Sequence, residues 1–149
     1  MRKGIRILAS AAASLATAAA AAQAPDGAYR GMIVCEKIAV ARDILHVPFD
    51  LIVRGQSVEF ARPVFNLKGS RIVGSELGAG SIDADGKLRA TSTRIFLGQT
   101  VDSEYSGTLT ATGGTLTGKQ SWHGSNGEGS RGCHIALVPA PKAQQSVDK

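Results

Sequence analysis

The chain has 149 residues, 43% of them hydrophobic and 19% charged, with a formal net charge of +5. That length suits one domain around one core and is too short for two. The basic residues are scattered among acids, so the sequence offers no tract of the kind that nucleic-acid binding requires.

Residues 1–22 read as an export signal. Arg2, Lys3 and Arg6 precede an Ala/Leu-rich run that starts at Ile7 and ends in Ala20-Ala21-Ala22, the order of charged, apolar and small residues that a signal peptidase reads. Cleavage is expected after Ala22, because a cut after Ala24 would place Pro25 directly beyond the scissile bond. An uncleaved anchor is the alternative, but alanine contributes little to membrane insertion. No second apolar stretch approaches spanning length, so no transmembrane segment is expected after signal removal. The remaining chain carries fourteen basic and twelve acidic residues, a net charge of +2, and a periplasmic or secreted location is expected.

From there the chain reads as strands. Tyr29 to Ile38 is rich in β-formers, and Phe49 to Arg54 places Leu51 and Val53 on one face. His46, just before Pro48, is expected in a solvated connection. Gly55-Gln56 permits a tight reversal into Ser57–Phe60, and Pro63 limits any continuation to an edge or a bulge. Asp85-Gly86 is a hairpin signal for a type I′ turn, with positive φ at both central positions, between Gly78–Ala84 and Lys87–Thr93. Gly113-Gly114 is expected to join Tyr105–Thr112 to Thr115–Trp122, and Arg131–Val138 forms the last strand. A single β-domain over 23–138 follows, with a disordered tail over 139–149.

Two cysteines in an oxidising compartment allow one pairing, Cys35 with Cys133. Alternation puts Cys35 with Ile33, and Cys133 with Ile135 and Leu137, on apolar faces. The expected fold is therefore all-β: an antiparallel meander of about eight strands that closes as a small barrel, with the disulfide joining first and last strands. A β-sandwich with adjacent terminal strands is the alternative. Inward Gly31, Gly80, Gly107 and Gly118 would allow tight coiling, with aromatic neighbours covering the bare backbone.

The order Tyr29-x-Gly31, Cys35, Asp85-Gly86, Tyr105-x-Gly107, Leu116-Thr117-Gly118, Trp122 and Arg131-Gly132-Cys133 resembles small exported bacterial β-proteins of uncharacterised function. The meander is also distantly similar to lipocalin-like and avidin-like barrels. Both resemblances imply a fold and no activity.

Catalytic motifs are missing: there is no Gly-x-Ser-x-Gly elbow, no His-Glu-x-x-His and no phosphate-binding loop. His123 and His134 alternate away from the apolar faces, and Cys133 and His134 point to opposite sides, which argues against a thiol nucleophile. Asp83 and Asp85 flank a turn, and Glu76 and Glu104 merely lie beside strands; basic residues such as Arg94 read as mixed-charge surface. Zinc would need more ligands than Cys133 and His134 offer, so neither a metal nor a cofactor is expected. The leading expectation is an exported, non-enzymatic, monomeric barrel that binds a small molecule or an envelope protein. Trp122, Tyr29, Tyr105 and Gln120 are the candidates for an interior or mouth site and Arg131 for its rim. The alternative is an envelope interaction or inhibitor module acting through the 124–131 loop, where Trp122 and Arg131 would be anchors; a small periplasmic hydrolase is the residual reading.

Overall fold

A computed structural model describes residues 26–38, 45–125 and 127–141; the expected signal at 1–22 and residues 142–149 of the expected tail lie outside them. Eight strands run in chain order: β1 (Gly27–Cys35), β2 (Leu45–Arg54), β3 (Ser57–Phe65), β4 (Ile72–Ile82), β5 (Lys87–Phe96), β6 (Gln99–Thr110), β7 (Gly113–Gly124) and β8 (Gly129–Pro139). Each pairs antiparallel with the next, and β8 returns to pair with β1, so the meander closes into a barrel and not a sandwich. Where all eight strands are paired, closure leaves no edge, and period-2 alternation sends every second side chain inward.

The two cysteines sit directly opposite each other in the last pair of the β1–β8 seam, and they form a disulfide. Both sulfurs face inward: Cys35 and Cys133 are buried beside Ile33 and Ile135. The bond closes a loop with a sequence separation of 98, for which chain entropy alone predicts a stabilisation of up to about 4–5 kcal/mol.

The two ends of the barrel differ. At the lower end lie the turns at 55–56, 83–86 and 111–112, together with the start of β1 and the end of β8. At the upper end lie residues 36–38, 66–71, 97–98, 125 and 127–128. Inward residues of the lower half are apolar, among them Leu51, Val58, Leu88, Leu109, Leu116 and Leu137, all nearly inaccessible to solvent. Above them Phe49 and Phe60 stack at 5.0 Å, and Tyr105 meets both rings edge-on at 5.6 and 5.3 Å. Two inward glycines make room for these rings. A Cβ on Gly78 would lie 2.1 Å from the Phe60 ring, and one on Gly118 would lie 2.2 Å from the Tyr105 ring. Each aromatic therefore covers bare backbone on a neighbouring strand.

Several local expectations are corrected. His46 belongs to β2, opposite Val34, although it is exposed as expected. Asp85-Gly86 does not form a type I′ pair: only Gly86 has positive φ, at 77°. The Asp83 carboxylate accepts the amides of Asp85 and Lys87 at 2.9 Å each, which builds a longer turn around a single left-handed glycine. Gly113 and Gly114 begin β7, and the turn is Ala111-Thr112. The pair with positive φ at both central positions is Leu97-Gly98, at 52° and 74°, between β5 and β6. Arg94 is not surface: it points inward from β5.

Two seams are short. β2 pairs with β3 only from Asp50–Ala61 downward, and β4 pairs with β5 only from Ala79–Thr91 downward. Between them β3 and β4 stay paired up to Phe65 and Ile72, with a register shift at Val64/Phe65. The upper part of this hairpin, from Arg62 to Gly78, thus rises as a two-stranded arm with no ladder to either neighbour among the described residues. Pro63 lies in the arm, beyond the last β2–β3 pair, where its missing amide costs that ladder nothing.

Candidate functional site

The inner row turns from apolar to charged in the upper half. Arg62 on the arm follows Val58 and Phe60 on the inward parity of β3, and Glu76 precedes Gly78 and Ile82 on that of β4. Ser92 and Arg94 continue the inward row of β5 above Ala90, Ser103 lies below Val101 on β6, and Gln120 and Arg131 complete the ring from β7 and β8. Arg62 is 3% exposed and Glu76 is fully buried.

Glu76 is the hub. Its Oε2 accepts a hydrogen bond from Arg62 Nη2 and lies 3.4 Å from Arg94 Nη1, while its Oε1 accepts the Ser92 hydroxyl at 2.6 Å. Burial alone would raise its pKa, but the attraction of Arg62 and Arg94 and the Ser92 hydrogen bond outweigh that and hold it below the ordinary carboxylate value of 4.5. These contacts also join the arm to β5 where the β4–β5 ladder has ended.

A second chain of contacts approaches from the opposite wall. Arg131 donates from Nε at 2.9 Å and from Nη2 at 2.7 Å to Gln120 Oε1. That engagement fixes the amide, so Gln120 Nε2 donates to the Tyr105 hydroxyl at 3.0 Å. Tyr105 is therefore the boundary: its ring belongs to the aromatic layer and its oxygen to the polar cluster. Its pKa is raised, first by burial and then by Glu76, so the phenol stays neutral at physiological pH.

The cluster holds three guanidinium groups against one carboxylate. Arg131 bears the consequence: burial first, and then repulsion from Arg62 and Arg94, push its pKa down to about 10. Two guanidinium donors, Arg62 Nε and Arg94 Nε, are buried without a hydrogen-bond partner among the described residues. Buried polar groups in folded proteins are almost always satisfied, so two such N–H groups in one cluster mark a place that favours a further acceptor.

Of the five residues expected at a site, the structure brings Tyr105, Gln120, Arg131 and Trp122 to the upper half. Tyr105, Gln120 and Arg131 form one hydrogen-bonded chain. Trp122 is half-buried at the mouth, where its ring lies against Gly129. Tyr29 is inward and buried but lies near the lower end, opposite Leu51 and Pro139. The 124–131 loop is tied to the barrel by the Gln99 side chain, which donates to the Gly127 carbonyl at 3.1 Å. Arg131 turns inward from its end, towards Gln120.

Sequence reasoning passed over Arg62, Glu76, Ser92, Arg94 and Ser103. The available signal was parity: Val58-x-Phe60-x-Arg62-x-Val64 and Leu88-x-Ala90-x-Ser92-x-Arg94 each carry an apolar inward row straight into an arginine. A groove of about 440 Å³ lies elsewhere, over outward-facing Arg89, Thr91, Glu104, Ser106, Thr117 and Lys119 on the outside of β5–β7. It shares no charged residue with the interior cluster. Comparison of the chain with protein-family models, with curated proteins and with solved structures finds no match.

Proposed function

We propose that this barrel is an exported binding protein that takes a small anion, or the anionic group of a small molecule, between Arg62, Arg94 and Arg131 at its upper end. One observation carries the reading: Arg62 and Arg94 converge inside the barrel on a single carboxylate with a third guanidinium, Arg131, close enough to feel their charge, and the Nε–H groups of Arg62 and Arg94 are buried without acceptors. An anion would supply those acceptors and cancel the charge excess, and arginine's planar fork suits carboxylate and phosphate oxygens. The disulfide supports export, since such bonds persist in oxidising compartments.

Binding fits the cluster better than catalysis. Glu76 is already ion-paired and hydrogen-bonded and remains ionised near neutral pH, so it has no proton to give. Tyr105 keeps its proton, and its oxygen is engaged by Gln120. These are groups that hold charge in place.

Titration calorimetry with inorganic phosphate at low ionic strength tests the reading, with the wild type compared with Arg94→Gln. Saturable one-to-one binding that weakens at least tenfold in the variant is expected. Absence of saturable binding, or equal affinity in the two proteins, rejects it.

A further inference from the structure

The arm and its seams say what else the ligand carries. Nine large apolar side chains are exposed among the described residues, and six of them, Leu67, Ile72, Val73, Leu77, Ile95 and Leu97, lie on the β3–β4 connection, upper β4, upper β5 and the β5–β6 turn. These elements flank the cleft where the β4–β5 ladder has ended. Leu77 and Ile95 are the most exposed, at 70% and 72%, and they project outward from the two strands that border the cleft. On the inner side of the same cleft stand Glu76, Ser92 and Arg94. The seam between β2 and β3 is short as well, but among the side chains described none that is large, apolar and exposed lies on upper β2 or upper β3.

Resting on the anion site proposed above, we infer that the ligand is a single-chain anionic amphiphile: its head group sits among Arg62, Arg94 and Arg131, and its hydrocarbon chain leaves through the β4–β5 cleft across Leu77 and Ile95. Charge complementarity fixes the head, because the interior excess is positive. The seam gives the tail its direction, because there the guanidinium cluster and the apolar strip lie on the two sides of a strand pair joined by the Glu76–Ser92 and Glu76–Arg94 contacts and by no ladder among the described residues. The lower half cannot take the chain. Its interior is occupied by the stacked aromatics and a buried aliphatic core, and interiors of that kind are close-packed. The tail would cover surface that is otherwise an apolar patch on an exported protein.

The test is a chain-length series at constant head group: inorganic phosphate, butyl phosphate and octyl phosphate, each below its aggregation concentration. Wild type, Arg94→Gln and the double variant Leu77→Ser/Ile95→Ser are compared by calorimetry. In the wild type, affinity is expected to rise about two- to fourfold per methylene covered, so that octyl phosphate binds at least 100-fold more tightly than phosphate. The ratio of octyl to inorganic phosphate affinity should fall towards one in the double variant, whose substitutions are on the surface and leave the core intact. Arg94→Gln should weaken every member of the series. Phosphate binding with no gain from chain length, or a gain that survives in the double variant, overturns the tail and leaves the anion site standing. Failure of phosphate to bind at all removes the anion site itself, and the amphiphile with it.

Discussion

The lower and upper halves of this barrel share the same eight strands and the same alternation, yet they solve different problems. In the lower half the inward positions are apolar residues, glycines and the buried Tyr29, the ladders are continuous and short turns join the strands. In the upper half the inward rows of β3 to β8 take in Arg62, Glu76, Ser92, Arg94, Ser103, Gln120 and Arg131, while Ile33, Cys35 and Val47 keep β1 and β2 apolar, and two of the eight ladders stop short. Hydrophobic burial stabilises the first half. The second spends part of that stability holding charge in a place where water would solvate it better. The contrast teaches that closure and stability come from below and the disulfide, and that the upper interior is shaped for something other than folding.

Substitutions in the two halves should therefore fail differently. The largest effect is expected from Glu76→Gln, which leaves Arg62 and Arg94 buried without a counter-charge and should cost about 3–5 kcal/mol in chemical denaturation. Its pH dependence identifies the cause. The folded Glu76 carboxyl is held below its ordinary value of 4.5, so the unfolded chain takes up the proton first. The stability Glu76 contributes is thus present above about pH 4.5 and is lost as pH falls through the folded value. The wild type should lose that increment on acidification, and Glu76→Gln should show a flatter acid limb. Leu116→Ala, in the lower half, should cost about 2–5 kcal/mol by opening a cavity where Leu116 is fully buried. Its acid limb should keep the wild-type shape; a flattened limb would break the division between the halves.

The smallest effect is a gain. Leu97 adopts φ 52° in the turn at the upper end, a left-handed conformation that costs an ordinary L-residue about 1–2 kcal/mol. Leu97→Asn should raise stability by up to about 1 kcal/mol, read as a higher denaturation midpoint, because asparagine tolerates that region. The side chain is exposed, so no core contact is lost.

Much of the lower half was legible in the sequence. Apolar alternation in Leu51-x-Val53, Leu116 and Ile135-x-Leu137 needs no knowledge of partners, and the cysteines announced which strands close the barrel. The turns were found approximately: Gly55-Gln56 is a true two-residue reversal, whereas Asp83 redirected the turn at Asp85-Gly86. The charged cluster was not legible as a cluster. An arginine can be buried only where a partner meets it, and Arg62 meets Glu76 across the β3–β4 register, which a single sequence does not specify. Placing the start of the fourth strand at Gly78 left Glu76 outside it, so the one carboxylate that organises the interior went unassigned. The short seams are properties of neighbouring strands together, and no local pattern records them.

If the arginines of the upper interior are held ready for an anion, their buried N–H groups must respond to one. Nitrogen-proton spectra of arginine side chains during a phosphate titration test it directly, because Arg62 Nε and Arg94 Nε are the buried donors without acceptors. Their Nε–H signals are expected to shift together and saturate at one equivalent, while those of exposed Arg30 and Arg54 stay in place. Movement confined to Arg30 and Arg54, with Arg62 and Arg94 unchanged at saturating phosphate, would contradict it.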